Sequence, residues 1–451
     1  MNPVQTQRAA FIRLTALGVA LLALTAAGLA LHIPGLGVVG TDARLAFFVG
    51  LLAIAVLVWF AAVATARHTE PRRALWLILG IAVACRIGPF LDMPFLSSDI
   101  YRYAWDGRVQ AASINPYLYV PADPILAPLR DAAIYPNINR ADIAPTIYPP
   151  AAQMIFAAIG LSGLGIPAVK AAMLLSEALT LAAAGIVLRR VGRPLTNLVI
   201  WAWNPLIIWA FAGNGHIDAA AAAFLALTLA LAPTGRWFAA GIAFAAAALT
   251  KFLPLAAAPA IWPQGGPRAA AVTLAMIVAL YACYAGAGTG VFGYLPGYGG
   301  EEGLLDGSGF WLLSGLTLIA PLPKVAGTIY IAAAVIFLGF LAAWIAFIRK
   351  PMTDLQIWRD AGILMAAVTV AISPHYPWYF AWLALPAMVV PSRALIWLAA
   401  APVILYIDPF NERFVWPAIV YVPAAALAII DRRRPLIAPR PFALAAPGEA
   451  A

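Results

Sequence analysis

From Leu14 to Leu31 the chain carries no charged side chain, and apolar stretches of similar length recur as far as residue 430. A helical run of about 20 such residues matches the hydrocarbon core of a bilayer. Lipid offers no partner to a free backbone N–H or C=O, so a segment there must close its hydrogen bonds internally, as a helix does. Composition agrees: 64% of the residues are hydrophobic and 10% are charged, where a soluble domain carries about a quarter charged residues. The expected fold class is all-α, a polytopic transmembrane helix bundle forming one integral-membrane domain over residues 1–451.

Runs of spanning length fall near 10–32, 45–65, 74–91, 168–188, 195–212, 217–232, 269–288, 324–347, 360–373, 377–391, 394–407 and 414–430, which predicts about twelve spans. The first is too long for the apolar part of a signal peptide and reads as an uncleaved helix. If the N-terminus is cytoplasmic, Arg67, Arg72, Arg73, Arg189, Arg190, Arg193, Arg236, Arg268, Arg349, Lys350, Arg359, Arg393 and Arg432 to Arg434 all fall on the cytoplasmic side. Both termini are then inside, with 432–451 a cytoplasmic tail. Most carboxylates are outside, among them Asp92, Asp99, Asp106, Asp123, Asp131, Asp142, Asp218, Glu301, Glu302, Asp306, Asp408 and Glu412. The net charge of +9 is explained by these short basic loops, and no nucleic-acid partner is expected. Cys85 and Cys283 fall within apolar runs, where a disulfide is not expected.

Two segments depart from simple spanning. Residues 150–163 are short, open on Pro149-Pro150, and would invert the basic clusters if they crossed; an interfacial helix is expected there. Residues 237–263 hold Lys251 and Pro254 near their middle. That reads as a broken, re-entrant helix, with Lys251 facing a cavity because irregular backbone at membrane depth must be buried in protein or wet.

The long loop 92–149 is dense in Tyr, Trp and Pro, unlike a disordered segment. Within it SSDIYRYAWDGR predicts a helix over Asp99–Ala112, capped by Ser97 or Ser98 and ended by Asn115-Pro116. Spacings of three and four put Asp99, Arg102, Tyr103 and Asp106 on one face. Asp99 there is either a first-turn carboxylate complementing the helix dipole or a functional acid. A polar, aromatic helix beside an interfacial helix is a surface for a molecule with a polar head and a lipid tail.

The stretches DIYRYAWDGRVQAASINPY, PTIYPP, NPLIIWAFAGNGHIDA, LTKFLPL and SPHYPWYF, in this order over residues 92–390, resemble the C-type (GT-C) glycosyltransferases. Within that superfamily the chain is most similar to bacterial polyprenol-phosphate-mannose-dependent α-1,6-mannosyltransferases. The resemblance implies a bacterial plasma-membrane enzyme with an extracytoplasmic site and a polyprenyl-phosphate-linked sugar donor. Its product is a hexose, mannose by the resemblance, on a glycolipid or glycan hydroxyl. It also implies that Asp99 is the catalytic base and Asp106 a second acidic site. The family's loop often begins with two adjacent acidic residues, whereas Ser98 precedes Asp99 here, so a single carboxylate stands at the site and no metal or other cofactor is expected.

Such a transfer needs a base for the acceptor hydroxyl and cations for the departing phosphate. Arg102, Arg108 and Lys251 are the candidate cations. His216 in GNGHID, His375 in SPHYPW and Tyr148 in PTIYPP are candidates for sugar or phosphate contacts, and Asp218 is a further donor-site residue and the alternative base. The aromatic residues of 376–382 suit a sugar platform or an interfacial belt equally. Glu177 lies mid-span, as a functional group or as a buried partner of Arg86 or Lys251. The competing reading is a secondary transporter or flippase of a lipid-linked or small polar solute, which broken helices and an intramembrane acid also suit.

Overall fold

A computed structural model describes residues 3–31, 41–349, 353–407, 415–434 and 436, and every regular element among them is helical. The helices are α1 (Pro3–Ala30), α2 (Thr41–Ala66), α3 (Pro71–Leu91), α4 (Asp99–Ala111), α5 (Pro150–Ser162), α6 (Ile166–Arg190), α7 (Val199–Ala202), α8 (Pro205–Ile207), α9 (Asp218–Leu231), α10 (Trp237–Thr250), α11 (Ala258–Ala282), α12 (Leu295–Glu301), α13 (Trp311–Thr317), α14 (Ala326–Ala343), α15 (Asp354–Ile372), α16 (Ala384–Val389), α17 (Arg393–Leu398) and α18 (Val415–Arg433). Eight of the described helices are long and apolar enough to cross a membrane. The pair Leu195–Ala202 and Pro205–Gly213, bent by 53°, is either a ninth, broken span or a re-entrant loop. The chain is thus a polytopic helical membrane protein.

The three remaining expected spans, near 217–232, 377–391 and 394–407, are shorter helical segments. Their apolar character serves the protein interior. Ala219 to Ala223, Phe380 to Val389 and Leu398 to Val403 are almost all buried, and Pro386, Pro391 and Pro402 interrupt the second and third segments. A short helix that is apolar all round has the composition of a span without the length of one. Asp408, Glu412 and Lys350 lie outside the described residues, as does most of 432–451.

Charge is divided between the two ends of the bundle. At one end Arg190 pairs with Asp354 and Arg349 with Asp360, while Arg393 holds Asp431 at 2.8 Å. At the other, α3 gives way to the 92–98 segment and α4.

Two local features fix α4. Asn214 Oδ1 accepts the amides of Phe95 and Leu96 at 3.1 and 2.9 Å, tying the approach of α4 to the turn after the bent pair. Further along, a Cβ on Gly107 would lie 2.2 Å from the Phe156 carbonyl oxygen, so α4 and α5 pack backbone to backbone. Phe156 then stacks on Tyr103 at 4.8 Å. The Ser98 side chain makes no cap bond; Ser97 Oγ accepts the Asp99 amide at 3.2 Å instead. The helix ends at Ala111, before Asn115-Pro116, where Ser113 takes a left-handed φ of 61°.

Candidate active site

α9 and α10 run antiparallel around a turn with Gly235 in the left-handed region, so residues 33 apart meet at their far ends. There Lys251 Nζ donates to both carboxylate oxygens of Asp218, at 2.7 and 2.9 Å. Lys251 itself is extended (φ −156°, ψ 143°), breaking the helix where the sequence predicts. Its ammonium stands 3.7 Å from the centre of the Tyr379 ring, a cation–π contact.

Lys251 opens onto a cavity of about 550 Å³, within the size range of small-molecule sites, about 300–1,000 Å³. Asp99, Arg102, Tyr148 and Lys251 all line it, although they come from α4, the 140s segment and the α10 break. So do Tyr376, Trp378 and Tyr379 from the SPHYPWYF segment. The remainder is largely apolar, with Leu253, Leu255, Val368 and Ile372 on one wall. Leu255 is 44% exposed on the outer surface as well.

Asp99 sits deep in this cavity, with about a quarter (24%) of its side chain still open to it. Burial pushes its carboxyl up to about 6; Asp218 adds to the rise, and Lys251 and Arg140 oppose it. A carboxylate held at this level is a usable base near neutral pH, since it is ionised there yet binds a proton more readily than an exposed acid.

His216 lies behind the cavity wall. It is fully buried, stacked on Trp378 at 3.9 Å, with Nδ1 3.7 Å from Asp99 Oδ2. That separation is too long for a hydrogen bond. Burial, reinforced by the Lys251 charge, depresses its basicity well below the usual imidazole value, so the ring is neutral. Gly215 beside it has φ 64°, and a Cβ there would lie 2.5 Å from Ile100 Cδ1. The GNGHID turn therefore supports α4 from beneath, through Asn214, Gly215 and His216 in succession.

Three expected site residues lie elsewhere. Asp106 is buried away from the cavity, accepting from Arg102 Nε at 3.1 Å and Gln153 Nε2 at 2.9 Å. It anchors Arg102, whose Nη2 also donates to the Ala144 carbonyl at 2.7 Å. Arg108 pairs with Asp131 at 2.6 Å and donates to the Leu129 carbonyl, holding the outer loop. His375 faces Glu302, Nδ1 to Oε2 3.5 Å, behind Tyr376. Of the alternatives for Glu177, the structure selects Arg86: Nη2 to Oε2 is 2.6 Å, and Trp201 Nε1 donates to the same oxygen.

Sequence reasoning overlooked Arg140. It lines the cavity, pairs with Glu301, and has φ 51°, a left-handed conformation that costs a non-glycine residue energy. Tyr298 is the other omission; it lines the cavity and shares a 2.8 Å hydrogen bond with the Tyr379 hydroxyl. Both depend on how 139–148 meets α12, about 150 residues on, and Arg140 in NINRAD looks like any loop arginine. Among the described residues no three His, Cys, Asp or Glu side chains gather as a metal-binding group.

Residues 9–263 match the family model described as MptA_B family, alpha-(1->6)-mannopyranosyltransferase, N-terminal domain. No curated protein and no solved structure matches the chain. The matched region runs from α1 into α11 and contains Asp99, Arg102, Tyr148, Asp218 and Lys251. Because it takes in more than half of the chain, the protein belongs to the alpha-(1->6)-mannopyranosyltransferase family and is a glycosyltransferase of the membrane.

Proposed function

We propose that the protein moves mannose from a polyprenyl-phosphate donor to a hydroxyl of a glycolipid or glycan on the extracytoplasmic face, with Asp99 as general base. One observation carries the reading: a half-buried carboxylate, pushed up to about 6 by desolvation, shares a single cavity with Lys251, Arg102 and Arg140. The apolar wall of Leu253, Leu255, Val368 and Ile372 suits the prenyl chain, and Leu255 marks its way out to lipid. The aromatic wall of Tyr376, Trp378 and Tyr379 suits the faces of sugar rings.

In this reaction Asp99 takes the proton of the acceptor hydroxyl as its oxygen forms a bond to the anomeric carbon. The bond from that carbon to the phosphate oxygen breaks, and its electron pair leaves with the polyprenyl phosphate. Arg140 and Lys251 stabilise that growing negative charge; fixed cations in a site shielded from water are worth far more there than in solution. Asp99 then returns its proton to solvent.

The test is to incubate purified protein with radiolabelled polyprenyl-phosphate mannose and, separately, with nucleotide-linked mannose, each with extracted envelope glycolipids. Label should pass to glycolipid from the first donor alone. Transfer from the nucleotide sugar would overturn the assignment of the donor.

A further inference from the structure

α3 and α6 lie antiparallel, and between them runs a second space, a groove of about 710 Å³ separate from the Asp99 cavity. Its walls are Leu79, Val83 and Ile87 from α3 and Leu174, Leu181 and Ile186 from α6. Val83, Ile87 and Ile186 are each more than half exposed, so the groove opens outward to the membrane. From Leu174 to Arg189 the α6 axis rises about 22 Å, more than one leaflet of hydrocarbon at about 15 Å.

Its polar groups are arranged unequally. In mid-groove the Arg86–Glu177 pair is closed on itself: Arg86 also donates to the Ala82 and Ala202 carbonyls, and Glu177 also accepts from Trp201. No unmatched charge is left facing hydrocarbon there. At the end distant from Asp99 the groove finishes on Arg189, which is exposed and has no side-chain partner among the described residues. Arg72 is exposed too and stands three and seven residues before Leu75 and Leu79, on the groove face of α3. Arg73 lies beside it. Glu70 caps that end of α3: its oxygens accept from the Arg72 and Arg73 amides, and its nearest side-chain cation is Arg73, Nε to Oε2 3.9 Å, which leaves the Arg72 guanidinium to the groove.

We infer that this groove is a binding site for one anionic glycerophospholipid, with its acyl chains between α3 and α6 and its phosphate held by Arg189 and Arg72. Basic pockets between helices at a membrane surface favour anionic headgroups by electrostatic attraction, and the closed mid-groove pair leaves the apolar length for the chains. The site is independent of the transfer reaction: its basic end lies at the opposite end of α3 from α4, and the groove contains no residue of the Asp99 cavity.

The experiment is native mass spectrometry of the purified full-length protein offered equal amounts of phosphatidylglycerol and phosphatidylcholine with the same oleoyl chains. The wild type should retain phosphatidylglycerol about tenfold over phosphatidylcholine. The double variant Arg72→Gln, Arg189→Gln should lose this preference while still taking up both lipids. Ala178→Trp, at an exposed position on the groove wall, should lower retention of both. Glycerol phosphate, the headgroup without chains, should not bind. Equal retention of the two lipids by the wild type overturns the inference, as does a preference that survives in the double variant. Should the double variant not fold, the wild-type competition and Ala178→Trp decide it.

Discussion

Lys251 and Asp218 form a closed pair: one ammonium donates to both oxygens of one carboxylate, at 2.7 and 2.9 Å, at the open end of the α9–α10 hairpin. The Lys251 side chain is 16% exposed and that of Asp218 7%. This pairing has a consequence for each residue. Both Asp218 oxygens are engaged by the ammonium and do not line the cavity, and Lys251 is held at the helix break with its charge against the cavity wall.

Lys251→Ala should therefore damage both stability and rate. Removing one member of a buried pair strands the other, at a cost of about 3–5 kcal/mol, and the leaving phosphate loses a cation. The double variant Lys251→Met, Asp218→Asn should recover most of the thermal stability of the solubilised protein while transfer stays low. If the double variant regains transfer as well, Lys251 is only a structural partner.

Arg140 offers a cleaner view of donor recognition, because it is more exposed than Lys251 and its partner Glu301 belongs to α12. Arg140→Gln should raise the KM for the polyprenyl-phosphate donor about tenfold or more and lower kcat/KM by about 10²-fold. The KM for the acceptor should change little. An equal loss in both KM values would mean that the residue only orders the loop.

The pH dependence follows from Asp99. A base must be ionised to act, so kcat/KM should fall as pH drops through about 6 and level off above it. The sign for stability is opposite. Because the folded pKa is raised above the ordinary 3.8, the folded protein binds the extra proton between those values, and this group's contribution becomes less favourable as pH rises through that window. Replacement of Asp99 by Asn should remove both effects, measured as rate profiles and melting temperatures between pH 4.5 and 8.

Topology can be read directly with substituted cysteines in a background lacking Cys85 and Cys283. An impermeant maleimide added outside intact cells should label position 113 and spare position 190. Labelling of both from the same side would contradict the reading of α5 as an interfacial helix.

Much of this architecture was legible in the sequence because lipid imposes a length. The long helices follow from uninterrupted apolar runs, and the break at Lys251 follows from a charge and a proline in such a run. Apolarity has a second cause at residues 217–232 and 377–391, which are shorter helical segments largely surrounded by protein, a distinction that hydropathy does not contain. At the site, the shared face of Asp99 and Arg102 followed from helical spacing. The same spacing grouped Asp106 with them, yet that face is wide enough for Asp106 to turn toward Gln153 on α5. Arg140 escaped notice because its position depends on a left-handed backbone and a partner about 160 residues away.

The central claim is that Asp99 removes the proton from the acceptor, and the most direct test is the single-turnover transfer rate of Asp99→Asn with donor bound. The amide keeps the shape of the carboxylate and loses its basicity. The rate should fall 10²–10⁴-fold with donor affinity within a few-fold of wild type, and less for Asp106→Asn, which perturbs only the anchor of Arg102. Near-normal transfer by Asp99→Asn, together with its abolition in Asp218→Asn, would contradict the account and move the base to the other side of Lys251.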